Sequence, residues 1–182
     1  MKRLLALAAV CSSLMLSGCG FTPLYAAPGV TSKLASIDII APDGRTGFLL
    51  RQHLEDAFAR DRQSRAAYAL RLALSEARFP RGIRTGNVAS RYEYVVTADY
   101  TLSNLPGGEI AKKGRVRVEI TYDSADQPYA SISAAQDAQD HASEEAARRI
   151  QLEIAAWIAT GESKAPTPAI SPLKPSGNPK KG

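Results

Sequence analysis

Three stretches of the chain alternate apolar and polar side chains with a period of two. Tyr68, Leu70, Leu72 and Leu74 are interleaved with Ala69, Arg71, Ala73 and Ser75. Tyr92, Tyr94, Val96, Ala98, Tyr100 and Leu102 are interleaved with Glu93, Val95, Thr97, Asp99 and Thr101, and Val116, Val118, Ile120 and Tyr122 with Arg115, Arg117, Glu119 and Thr121. That period predicts strands with one face buried and one wet. Pro80-Arg81-Gly82 reads as a break after the first strand, and Pro106-Gly107-Gly108 as a turn after the second. Short connections between successive strands predict an antiparallel meander.

The flanking segments change period. Leu34 to Ile40 is a short β-branched run closed by Pro42-Asp43-Gly44, which predicts an earlier strand. Phe48, Leu50, Leu54, Ala57 and Phe58 recur at helical spacing from Thr46 to about Arg62, with Thr46 placed as an N-cap. After a predicted loop over Asp123 to Ser133, Ala146, Ile150, Ile154, Trp157 and Ile158 define one stripe of a second helix, from Ala134 to Ala159. Acidic Asp137, Asp140, Glu144 and Glu145 suit its N-terminal half, and Gly161 its end. The order β-α-β-β-β-α predicts an α+β two-layer sandwich, a four-stranded, mainly antiparallel sheet with both helices on one face.

The ends of the chain do not belong to that domain. Lys2 and Arg3 precede an apolar run, Leu4 to Leu16, that is too short to span a bilayer and ends in Leu16-Ser17-Gly18-Cys19. This resembles the lipobox of bacterial lipoproteins. The resemblance implies a signal peptide over residues 1–18, acylation of Cys19, and anchoring in membrane lipid; Gly20, in place of Asp, favours the outer membrane. Cys11 would be removed with the signal, so the mature chain would hold one thiol and no disulfide. Several acyl chains on one residue anchor stably where a single chain is marginal. Residues 19–32, with Pro23, Pro28 and Gly29, read as an extended tether; residues 33–160 as the domain; and residues 161–182, rich in Pro and Lys, as a disordered tail.

Charge narrows the partners. The chain carries a net charge of +5, yet residues 19–160 hold 17 basic and 17 acidic side chains. Most of the excess sits in the signal and the tail, which argues against nucleic acid as a partner. Within the domain, Arg71 to Glu119 is basic and Asp123 to Glu153 acidic. Two readings stay open: solvated faces that attract each other, or a basic part facing an anionic ligand.

Catalytic patterns are missing. There is no nucleophile elbow, phosphate loop or dinucleotide fingerprint. His53 lacks metal-ligand spacing, and Asp137 with His141 reads as a solvated ion pair. Tyr92, Tyr94 and Tyr100 share parity with Val96, Ala98 and Leu102, so they read as core rather than as a platform for bases. No enzyme activity, cofactor or metal is expected.

The run Leu16-Ser17-Gly18-Cys19-Gly20-Phe21-Thr22-Pro23-Leu24-Tyr25, with the element order and the Ala-rich last helix, resembles the lipopolysaccharide-assembly LptE family of alphaproteobacteria. The resemblance implies an outer-membrane lipoprotein that plugs the LptD β-barrel, assists its assembly, and binds lipopolysaccharide on its way to the cell surface. It also implies a basic residue near the turn into the long strand. Arg84 matches that position, with Arg81 and Arg91 beside it. A second basic position in some relatives falls in the loop before the last helix; Ser131 to Ala135 carries no charge there, and Lys112, Lys113 and Arg115 at the start of the last strand are the candidate substitutes. The alternative is an accessory lipoprotein of another outer-membrane transport or barrel-assembly machine.

Overall fold

A computed structural model describes residues 29–63, 65–83, 89–124 and 127–161. The elements run α1 (Val30–Ala35), β1 (Ile37–Ile40), α2 (Arg45–Ala57), β2 (Tyr68–Ile83), β3 (Ala89–Asn104), β4 (Ile110–Asp123) and α3 (Pro128–Ala159). The sheet order is β1-β2-β3-β4, parallel between β1 and β2 and antiparallel elsewhere. The parallel pair follows from connectivity: α2 carries the chain back across the sheet, as a crossover must. The sheet is therefore mixed, with β1 its parallel edge member.

Alternation decides which face is covered. Leu70, Leu72, Tyr94, Val96, Ala98, Tyr100, Leu102, Val116 and Val118 are buried against Leu50, Leu54 and Phe58 of α2 and Ala146, Ile150, Ile154 and Trp157 of α3. The opposite face carries Arg71, Ala73, Asp99, Arg115, Arg117 and Glu119 and has no helix over it. Each buried Leu or Ile contributes about 1.5–3 kcal/mol through removal of apolar area from water. Tyr100 is 1% exposed, and its ring lies across Gly114, where a Cβ would come within 2.3 Å of the ring. Its hydroxyl donates to Glu153 of α3.

The structure departs from the sequence reading in several places. Residues 30–32, expected in the extended tether, open α1, and Leu34 packs into the core from that helix rather than from a strand. β2 runs through Pro80, where a break was expected. The Leu105 amide donates to Ala67, which makes odd-numbered β2 residues the ones bonded to β3. Even-numbered residues then direct their nitrogens away from β3, so Pro80 removes a donor from an edge that β1 leaves free beyond Arg71. β4 starts at Ile110, before the expected Arg115, and α3 starts at Pro128, six residues before the expected Ala134, with proline at its favoured first position.

In α2 the expected cap, Thr46, lies inside the helix; Gly44 is the N-cap. Phe48 is 66% exposed because two residues along a helix turn about 200°, away from Leu50. α2 ends at Ala57, short of Arg62, where Ala59 takes a left-handed φ of 49°.

Candidate functional site

The meander has two ends. At one, β2 and β3 approach their connection and β4 ends at Asp123. At the other, β3 turns into β4. Arg91 and Thr101 are ten residues apart on β3, about 33 Å at strand rise. Lys113 is the partner of Thr101 and Lys112 the partner of Leu102, so Lys112, Lys113 and Arg115 lie near the far end from Arg81 and Arg91. The five described candidates, Arg81, Arg91, Lys112, Lys113 and Arg115, therefore do not converge on one clamp. Arg84 and Cys19 lie outside the described residues.

Arg81 and Arg91 are brought together. They stand directly opposite each other on β2 and β3 and line a cleft of about 550 Å³ with Gly82, Ser90 and Asp123. Two like charges in register repel, and neighbouring acids offset them: Arg81 Nε donates to Glu93 at 2.6 Å, and Arg91 Nε to Asp123 at 2.8 Å. Both arginines are exposed. Such pairs are each worth about 0–1 kcal/mol, so a polyanion can displace the carboxylates at little cost. At the other end Arg115 holds Asp99 with two bonds, 2.6 and 3.2 Å long, a fork already occupied. Two of these pairs, Arg81–Glu93 and Arg115–Asp99, form within the basic middle of the chain, and only Arg91 reaches into the acidic final third, at Asp123.

The helix-covered face also changes near the first end. Beyond Leu74 the sheet extends past α2 and only the first turns of α3 lie over it, and polar groups replace the apolar core. Arg78 occupies an even, core-parity position on β2. Its guanidinium lies 5.4 Å from the centre of the Tyr92 ring and donates to the Tyr122 hydroxyl at 3.3 Å. Tyr92 and Tyr122 are cross-strand partners whose rings stack, 5.7 Å between centres. Tyr92, read from sequence as core, is thus half-buried in this polar cluster, while Tyr94 and Tyr100 are buried as expected. Next to them the Tyr94 hydroxyl donates to Glu76 at 2.5 Å, and Thr46, from the first turn of α2, donates to the same Glu76 oxygen at 3.0 Å. Burial first, then the bond to Glu76, raises the Tyr94 pKa well above the usual phenol value, so the hydroxyl stays protonated. Glu76, Arg78, Tyr94 and Tyr122, with Ala135 and Gln139 from α3, line a second cavity of about 280 Å³.

Sequence reasoning missed Arg78 and Tyr122. The available signal was parity: in a strand whose even positions are apolar, an arginine at an even position marks where the apolar core gives way to polar groups. His53 meets Asp140 at 3.1 Å between α2 and α3, a contact that sequence spacing could not show. Among the described residues no three His, Cys, Asp or Glu side chains converge, and no helix is long and apolar enough to cross a membrane.

A four-stranded sheet covered on one face by helices, with two arginines paired at one end, defines a small domain of the two-layer α+β class. The family model for LptE, lipopolysaccharide-assembly, matches residues 34–154, and the chain belongs to that family. Among solved structures it is similar to a putative lipoprotein from Caulobacter crescentus CB15, with 50% identity and a TM-score of 0.65 over 73% of this chain and 97% of that one. It shares its fold with the rare lipoprotein B from Shewanella oneidensis, at 17% identity and a TM-score of 0.54 over 69% of this chain and 98% of that one. No curated protein matches.

Proposed function

We propose that this chain is a non-enzymatic outer-membrane lipoprotein, anchored through acylated Cys19, that binds lipopolysaccharide and plugs and assists assembly of the LptD β-barrel. The observation that carries the ligand part is the Arg81–Arg91 pair, two forked cations in register at an open cleft. Phosphates of a lipid A headgroup accept bidentate bonds from such forks. Exposed Phe79 lies on β2 two residues before Arg81, and Tyr129 and Ile132 lie in the first turns of α3, which Ser131 ties to Ser124 just past β4. The same end therefore offers apolar surface beside positive charge, as an amphiphile requires. Arg84 falls between β2 and β3 in sequence and is assigned to this end. Lys112, Lys113 and Arg115 are assigned no part in that cleft. The uncovered sheet face, with its rows of paired charges, suits a polar barrel lumen.

Affinity capture of the acylated chain from outer membranes tests the partner: the LptD barrel should co-purify, and its absence refutes the plug role. For the ligand, Arg81→Glu with Arg91→Glu should weaken lipopolysaccharide binding at least tenfold while the melting temperature holds. Unchanged binding refutes the cleft assignment.

A further inference from the structure

The cavity between the sheet and the start of α3 is a different kind of place from the arginine cleft, and it has chemistry to spare. Arg51, Arg62, Arg81, Arg91, Arg115, Arg117, Arg148 and Arg149 each contact a carboxylate. Arg78 contacts none among the described residues. It is propped by a ring and a phenol, which fix its plane while leaving most of its five donors unused. Glu76 accepts from Tyr94 and Thr46 through one oxygen, and its second oxygen has no partner among the described residues. Gln139 reaches in from α3; its amide already bonds the Tyr94 hydroxyl and keeps a further donor and an acceptor for a ligand.

These groups select a ligand by elimination. A simple anion would meet the Glu76 carboxylate, and a simple cation the Arg78 guanidinium. An apolar group would strip water from both. A hydroxyl-bearing ring satisfies all three, since each hydroxyl donates and accepts: it can donate to Glu76 while accepting from Arg78 and Gln139. The phenol walls of Tyr94 and Tyr122 add apolar surface for C–H groups. At about 280 Å³ the cavity falls just below the roughly 300–1,000 Å³ range of drug-sized ligand sites, which suits a single sugar ring.

We propose that this cavity is a saccharide subsite, which takes one pyranose ring of a glycan between Arg78, Glu76 and Gln139. It rests on the lipopolysaccharide reading for the source of the sugar, a core residue of the same molecule whose phosphates face the arginine cleft. The two sites use opposite faces of the β2–β3 pair, because Arg78 has even parity and Arg81 odd. One glycolipid could then grip the end of the sheet from both sides.

The test uses the full chain purified in detergent and three probes: intact lipopolysaccharide, lipid A, and the lipid-free core oligosaccharide released by mild acid. The oligosaccharide should bind the native chain, and Arg78→Ala or Gln139→Ala should weaken it at least tenfold. Arg81→Glu with Arg91→Glu should weaken lipid A and leave the oligosaccharide unchanged. Arg78 is exposed and Gln139 half-buried, and unaltered thermal melting confirms that each variant folds. If the oligosaccharide does not bind, or binds Arg78→Ala and Gln139→Ala like the native chain, the subsite is overturned. In that case binding of lipopolysaccharide to the native chain keeps the functional reading standing. Oligosaccharide binding without lipid A or lipopolysaccharide binding would sink that reading and leave the subsite.

Discussion

The two ends of the meander hold similar charges and treat them oppositely. At the β3–β4 end, Tyr100 is sealed over Gly114 and tied to Glu153, and the arginine on the outer face is already forked onto Asp99. At the β2–β3 end the sheet extends past α2, two arginines face each other, and a third rests on tyrosines beneath the first turns of α3. One end is packed to hold the fold, and the other leaves polar groups with capacity to spare. Net charge does not separate them; the commitments of the individual cations do.

The comparison breaks most directly at Gly114. Gly114→Ala puts a methyl 2.3 Å from the Tyr100 ring, which is too buried to swing aside. Overpacking of this kind costs about 3 kcal/mol, readable as a lower denaturant midpoint at unchanged slope. The reverse change at the open end, Arg78→Ala, should change the unfolding free energy by less than about 0.5 kcal/mol, as exposed substitutions do. A Gly114→Ala protein as stable as the parent would show that the sealed end is not sealed.

Tyr94 sits where the two regimes meet, and Tyr94→Phe removes the hydroxyl that donates to Glu76. A hydrogen bond to a charged acceptor is worth about 1.5–3 kcal/mol, so the loss should fall below that of Gly114→Ala and well above that of Arg78→Ala. Thr46→Val tests the same node from α2, and the double variant should be non-additive because both donors share one Glu76 oxygen.

Much of the architecture was legible in the sequence, since alternation and helical stripes report directly on which side of an element meets the core. Leu70, Val96, Val118, Ile150 and Ile154 are buried as that pattern implies. What failed depends on neighbours far away in sequence. Pro80 signals a break until the edge at which its nitrogen lies is known, and α1 is too short for periodicity to register. Phe48 reads as apolar-face from its residue type, yet two positions before Leu50 it stands about 200° round the helix and is exposed. Of the candidate site, the Arg81–Arg91 pairing emerges only once β2 is seen to run through Pro80, where the sequence reads as a break. The cavity could not be read, because Gln139 and Ala135 reach Arg78 and Tyr122 only after α3 folds over the sheet.

A smaller effect separates charge from fold. Arg148 and Arg149 hydrogen-bond Glu145 and hold its carboxyl down to about 2, below the ordinary value of 4.5. The folded pKa is depressed, so the contribution is complete above about pH 4.5 and fades as pH falls toward 2. Glu145→Gln should flatten the acid limb of the stability profile in that window and leave neutral pH nearly unchanged. This ion cluster is exposed, so the change should be slight next to that at Gly114 or Tyr94. A steep acid limb that survives intact would assign acid sensitivity to other carboxylates.

The smallest effect on stability carries the most about function. Arg91→Ala and Arg115→Ala each remove one exposed arginine from the same uncovered face, leaving Asp123 or Asp99 without its partner. Because both acids stay solvated, neither variant should shift the melting temperature beyond experimental scatter. Binding should tell them apart. Arg91→Ala deprives the open cleft of half its paired charge and should weaken lipopolysaccharide several-fold, whereas Arg115→Ala, at the occupied end, should leave binding as it was. Equal losses from the two would mean that the ligand answers to overall positive charge. The contrast between a committed and an uncommitted arginine would then explain nothing about recognition.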